Sequence, residues 1–318
     1  MTPDGRITSE FDDAGGIERA AGEPWDARVW AAGSGGYDWD DLGGGGGDDF
    51  EDPDDVADSD RDDARDDSPE TDDRDDDLAD LELVVLDLSG TIVADEALVE
   101  RAFDRAASAA GIGTTPEVRR TAWGFVRETM GQSTIGVFRA LTGDDDQAEH
   151  ANAVFESAYV ELIAREGVTA VPGAEDVIRR LQTTGVDVAL VTGFSRRVRD
   201  ALLDALGWQL LADVVLSPED AGRGRPFPDL PLTALLRTGA SSVEGMVVVG
   251  DTASDIASGL AAGAGLVVGV LTGMHDEQTL LDTGADAVLR SIAGLPELLG
   301  YDTPGLVSAD AVAAPGAR

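Results

Sequence analysis

The chain has 318 residues, with 63 Asp+Glu against 23 Lys+Arg and a formal net charge of −40. It contains no cysteine, which excludes disulfides, a thiolate nucleophile and Cys-ligated zinc. Every basic side chain is Arg, which excludes Schiff-base chemistry on a lysine, and the acidity argues against nucleic acid or an anionic membrane as partner.

The acid is concentrated at the start: residues 1–80 hold 29 of the acidic residues but only 6 of the arginines. Stretches such as "DWDDLGGGGGDDF" repel themselves and offer little apolar surface to bury, so 1–80 is expected to be a disordered acidic extension. Trp25, Trp30 and Trp39 interrupt it and suit at most a weak docking element. "GGGGG" at 43–47 has no strand before it and no GK[ST] after it, which makes it a linker, not a phosphate loop. The opening "MTPDGRITSEF" lacks the apolar core of a signal peptide. The most apolar run, 259–273, is broken by Gly and too short to span a bilayer. A cytoplasmic location is expected; the oligomeric state is not legible.

From residue 83 short apolar runs alternate with amphipathic helices. "LVVLDL" (83–88), "VDVALVTG" (186–193), "DVVLS" (213–217), "GMVVVGD" (245–251) and "GLVVGVL" (265–271) are apolar on both faces, as strands of a buried parallel sheet are. Helices are expected over 173–185, 195–208, 230–240 and 253–263, several stopping at Gly. This alternation specifies an α/β domain with a doubly wound, Rossmann-like parallel-sheet core. Between 94 and 166 the alternation fails and only helical stretches appear, at 95–111, 115–131, 134–143 and 147–167. The expected organisation is a catalytic core of 81–93 and 167–300, an all-helical cap at 94–166 inserted after the first strand, and a flexible tail at 301–318. Open α/β sheets bind ligands at the C-terminal edge of the strands, where such an insert can serve as a lid.

Four segments fall at strand ends: "DLSGT" (87–91), "LVTGF" (190–194), "GRGRPFPD" (222–229) and "VVGDTASD" (248–255). Together they suit phosphoryl transfer. Asp87 can attack phosphorus and form an aspartyl-phosphate, splitting one displacement into two. Carboxylates of Asp87, Asp251 and Asp255 make a hard oxygen site for Mg²⁺. Gly90, Thr91, Gly193 and the Thr192 hydroxyl can hold phosphate oxygens, and Arg225 supplies positive charge. Carboxylates that end apolar strands are costly unless something binds them. Thr192 can also cap the helix starting near Ser195. Arg196 and Arg197 sit in a first helical turn, where the helix dipole opposes cations, and suit either an anionic ligand or plain surface. His150 and His275 are isolated and read as surface or helix-terminal residues, not as metal ligands or bases.

The four segments in this order resemble the signature of the haloacid dehalogenase superfamily, and 83–300 spans one catalytic domain with its cap. "MGQST" (130–134), "VTGF", "GRPFPD" and "GVLTGMHD" (269–276) look most like the phosphonatase-like branch. The resemblance implies a Mg²⁺-dependent hydrolase of a small phosphorylated metabolite, with the Ser89 carbonyl among the metal ligands and Met130, Gly131, Gln132 and Thr134 lining the substrate pocket. Phosphonoacetaldehyde hydrolase carries an imine-forming lysine four residues after the Met; here that position is Thr134, so its mechanism is excluded. Phosphatases of the superfamily place a second Asp two residues after the nucleophile, where this chain has Ser89. Ser89 is no carboxylate, which points to slow turnover, to good leaving groups such as acyl or aryl phosphates, or to a displaced acid at Asp95 or Glu96. A phosphoglycolate-phosphatase-like activity and a phospho-ligand binder without turnover are the alternatives.

Overall fold

A computed structural model describes residues 81–301. The acidic extension with its three tryptophans, and the tail beyond Tyr301, lie outside the described residues.

In chain order, β1 (Leu83–Asp87) leads through a tight turn to β2 (Val93–Ala94) and then to four helices, α1 (Glu96–Ala109), α2 (Pro116–Glu128), α3 (Thr134–Thr142) and α4 (Asp145–Glu166). The chain returns through β3 (Thr169–Ala170) and alternates α5 (Ala174–Thr183), β4 (Asp187–Val191), α6 (Arg196–Leu206), β5 (Val214–Leu216), α7 (Pro218–Ala221), α8 (Asp229–Thr238), β6 (Met246–Gly250), α9 (Ala253–Ala262), β7 (Leu266–Val270), α10 (Glu277–Thr283), β8 (Ala287–Leu289) and α11 (Leu295–Leu298).

The main sheet has six parallel strands in the order β5–β4–β1–β6–β7–β8. Central strands β1 and β6 are buried at every residue, as their uninterrupted apolar sequence requires. Side chains alternate across the sheet: Val84 and Leu86 join the core under α5 and α6, while Leu83 and Val85 join the core under α8. Helices thus cover both faces, and the doubly wound α/β architecture expected from the sequence is what forms. Register fixes the functional edge. Asp87 pairs with Val191 and Leu86 with Val249, so the residues just after β4 and β6 emerge level with Asp87.

The insert holds itself together. Leu98, Val99, Ala102, Phe103, Ala106 and Ala107 form one stripe of α1, at the three-and-four spacing of a helix face, and this stripe belongs to the same core as the buried face of α4. Thr115 caps α2 ahead of Pro116, and Asp144 caps α4 through the Gln147 N–H. Phe103, Phe138, Phe155, Tyr159 and Phe194 form a run of rings with centroids 5.2–6.1 Å apart, reaching from the insert to the loop after β4.

Three strands escape the sequence pattern. β2 and β3 are two residues each and pair antiparallel, Val93 with Ala170 and Ala94 with Thr169, so a small ribbon carries the insert. Two residues have no period to read. The edge strand β8 is three half-buried residues in "GADAVLRS" and lacks the apolar run of its neighbours.

Candidate active site

Asp87 ends β1, Asp251 follows β6, and Asp255 sits in the first turn of α9. Each is at most 4% exposed, and one carboxylate oxygen from each lies within 4.8 Å of the others. Parallel strands in register bring the first two together. The third is set by the N-terminus of α9, where Thr252 and Asp255 form a reciprocal capping box: the Asp255 carboxylate accepts from the Thr252 N–H at 3.1 Å and from its hydroxyl. Asp251 accepts from the Thr91 hydroxyl at 3.1 Å and the Met274 N–H at 2.9 Å. Gly90 lies so close to this carboxylate, at φ +83°, that a Cβ there would collide with it.

Arg225 is the counter-charge. It is buried, and its Nη1 donates to Asp87 Oδ1 at 2.5 Å and to Asp255. Its Nε is buried without a partner among the described residues. One cation does not balance three buried carboxylates. Burial pushes Asp87 up to about 7 against the pull of Arg225, with the Asp255 charge adding to the rise. Burial and the charges of Asp87 and Asp255 push Asp251 well above the usual carboxylate range. A hard dication would relieve that repulsion, so these oxygens fit Mg²⁺ chemically.

Thr192 is buried beside the cluster. Its hydroxyl accepts from the Phe194 N–H at 3.2 Å and does not cap α6; Ser195 stands at that N-cap, without a side-chain capping bond. Gly90 and Thr91 lie elsewhere than expected. The Gly90 N–H donates to the Val93 carbonyl and the Thr91 hydroxyl to Asp251, and neither residue lines the cavity. Their geometry holds the carboxylate in place.

Ser89 lines the cavity, and its hydroxyl donates to Asp95 Oδ1 at 2.5 Å. Asp95 is 3% exposed, whereas Glu96 points outward, so of the two acids only Asp95 reaches Ser89. The Tyr159 hydroxyl donates to the other Asp95 oxygen. Burial raises Asp95 to about 6 in spite of the hydrogen bonds from Ser89 and Tyr159. Tyr159 was missed in the sequence, where it is one more buried residue of α4, four after Phe155; nothing local marks a bond to a residue 64 positions away.

The loop between α2 and α3 rests on three core loops at once. The Thr134 N–H donates to the Gly193 carbonyl at 3.3 Å. A Cβ at Gly193 would strike the Gln132 carbonyl, one at Gly131 would strike the Thr252 hydroxyl, and one at Gly224 would press on Ser133. These bare backbones let Met130, Gly131, Gln132 and Thr134 line a cavity of about 50 Å³ together with Asp87, Ser89, Thr192, Gly193 and Arg225. His275, expected to be an isolated surface or helix-terminal residue, lies just before α10 and joins the two halves. Its Nδ1 accepts from the Ala253 N–H at 2.8 Å, which leaves Nε2 to donate to the Arg127 carbonyl at 2.9 Å. His150 is exposed. Arg196 pairs with Asp220, Arg197 bonds Ser157, and Arg223 pairs with Asp229 over the Phe227 ring; none lines the cavity.

An aspartate-centred acidic cluster at the edge of a parallel sheet, under a helical insert, defines a class of hydrolase. The model of the haloacid dehalogenase-like hydrolase family matches residues 81–263, and the chain belongs to that family. It is 25% identical over 256 residues to a phosphonoacetaldehyde hydrolase of Bacteroides fragilis, covering 69% of this chain and 95% of that protein. It is 27% identical over 219 residues to the probable phosphatase IndB of Dickeya dadantii, covering 65% and 91%. A hydrolase structure from Pseudomonas syringae shares the fold at TM-score 0.61 and 24% identity, over 69% of this chain and 98% of that one. No helix among the described residues is long and apolar enough to cross a membrane.

Proposed function

We propose that the chain is a Mg²⁺-dependent phosphohydrolase of a small phosphorylated metabolite, working through an aspartyl-phosphate on Asp87 under a helical cap at 94–166. The observation that carries this reading is the cluster of three buried carboxylates around one arginine. Asp87, Asp251, Asp255 and the Ser89 carbonyl would hold the ion, which when bound neutralises charge on the transferring phosphoryl group.

The chain's own groups then divide the work. An Asp87 oxygen attacks phosphorus, and the bond from phosphorus to the leaving oxygen breaks. Arg225 fixes the orientation of Asp87 through Nη1 and offers its Nε–H, which has no partner among the described residues, to a phosphoryl oxygen. Thr192 lines the same cavity, and its hydroxyl, which accepts from the Phe194 N–H, is free to donate to a second oxygen. For this step Asp95 is protonated and the hydrogen bond that Ser89 donates to it reverses: Ser89 gives its hydroxyl proton to the leaving oxygen and takes one from Asp95, so the missing second carboxylate acts through a serine. Water then attacks phosphorus, passing a proton back through Ser89 to Asp95 as phosphate leaves and Asp87 is restored. The aromatic wall keeps other water out.

A phosphonoacetaldehyde hydrolase of the lysine-imine type does not fit a chain without lysine. The reading is tested by inorganic phosphate release. Asp87→Asn should lower it by on the order of 10³-fold or more while the variant stays folded, and chelation of Mg²⁺ should silence the wild type reversibly. Full activity in Asp87→Asn would overturn the mechanism.

A further inference from the structure

Resting on the phosphohydrolase reading, we infer that the site selects a phosphate compound whose organic part is uncharged, mainly apolar and very small, of the short-chain acyl phosphate type. Three features of the cavity lead there.

The first is charge. Among the lining residues only Asp87 and Arg225 are charged, and Arg225 is already paired with Asp87 and Asp255. A carboxylate on the organic part would be buried with no counter-ion, a state that costs several kcal/mol in practice. Phosphoglycolate-like substrates are disfavoured on this ground.

The second is hydrogen bonding. Away from the carboxylates the wall is Val99, Phe103, Val126, Val137, Phe138 and Phe155. The hydroxyls that reach it are spent internally: Thr129 donates to the Phe125 carbonyl at 2.8 Å, Thr134 to the Gly193 carbonyl at 3.4 Å, and Thr252 to Asp255. A polyol or sugar would strand its hydroxyls against valine and phenylalanine. Gln132 is the exception: it lines the cavity half-buried, and its carboxamide forms none of the side-chain hydrogen bonds found among the described residues. One neutral acceptor on the substrate, such as a carbonyl, can pair with it.

The third is size. A cavity of about 50 Å³ has room for roughly four water-sized groups, so an organic part of more than about four heavy atoms does not fit.

An acyl phosphate meets all three conditions. Its leaving group also departs as a carboxylate, so turnover does not depend on the Ser89–Asp95 pair. Asp87 attacks phosphorus, the P–O bond breaks, the carboxylate leaves, and water attack on the phosphorylated Asp87 yields inorganic phosphate.

The test uses the full-length protein, acetyl phosphate as substrate, constant free Mg²⁺, and three competing phosphonates of equal size: 2-oxopropylphosphonate, 2-methylpropylphosphonate and phosphonoacetate. The expected order of inhibition is the one just given, with phosphonoacetate weakest by roughly 10-fold or more. Gln132→Leu should remove the advantage of the oxo compound over its methyl counterpart while leaving the methyl compound within about 3-fold. Phosphonoacetate binding as tightly as the neutral pair overturns the substrate class and leaves the hydrolase reading standing. If acetyl phosphate is not turned over while an alkyl phosphate is, the acyl phosphate class falls and the hydrolase reading stands. Binding by none of the three, with no phosphate released from either substrate, removes both.

Discussion

At the scale of single residues, the site turns on what surrounds each carboxylate. Asp87 faces Arg225, while Asp95 faces only a hydroxyl on either side. Burial dominates for Asp95 and moves it to about 6. Its native pKa therefore exceeds the unfolded value, and the folded chain binds more protons in the window from roughly 4 to about 6. Stability attributable to Asp95 is thus greatest below that window and declines as pH rises through it. Asp95→Asn should flatten this slope, read as the melting temperature of variant minus wild type against pH. The same group gives a kinetic signature. With an alkyl phosphate, wild-type activity should fall as Asp95 loses its proton above about pH 6, and Asp95→Asn should cost ~10²–10⁴-fold. Acetyl phosphate, whose leaving group needs no proton, should lose far less. Equal losses on both substrates would sink the serine relay.

At the scale of elements, the helical insert meets the core through glycine. Gly193 has no unusual backbone angle; its smallness matters because the Gln132 carbonyl lies where a Cβ would be. In Gly193→Ala the 130–134 loop has to withdraw, opening the cavity and moving the substrate-facing residues. Misplacement on the ångström scale can cost on the order of 10²-fold in rate, so kcat/KM should drop to about that extent. The core strands are untouched, and denaturant unfolding should shift little. A Gly193→Ala enzyme with unchanged kcat/KM would show that the loop does not position substrate. The β2–β3 ribbon and the His275 bridge from Ala253 to Arg127 are further joints between insert and core. Two-residue strands of this kind carry no periodic signal, and the His275 bond spans 148 positions in the chain, so neither was legible in the sequence.

For the whole molecule, the acidic cluster couples stability to its counter-ion. Asp87 rises to about 7 and Asp251 well above the usual carboxylate range, both chiefly through burial. Without a cation the folded chain takes up protons there, and its stability declines as pH rises from roughly 4 through about 7. Mg²⁺ must displace those protons at pH 5 but finds Asp87 largely ionised at pH 8. Saturating Mg²⁺, at about 100 times its Kd, should therefore raise the melting temperature by roughly 5–10 °C at pH 8 and by much less at pH 5. Equal shifts at both pH values would argue against this cluster as the binding site.

The amino-acid order alone determined the parallel sheet, because apolar runs buried on both faces have few other places to go. It also picked out Asp87 and Asp251, since a lone charge at the end of such a run needs a partner, and through the order of the four segments Asp255 and Arg225. It excluded lysine and thiol chemistry by composition. Only the tertiary structure decided which group stands behind Ser89, that Thr91 serves Asp251, that the "MGQST" loop is seated on three core loops, and that the cavity wall offers a substrate no free charge. Those facts depend on contacts between residues tens to more than a hundred positions apart. Sequence reports the chemistry of each residue and its local period; proximity across the fold is set by register and packing.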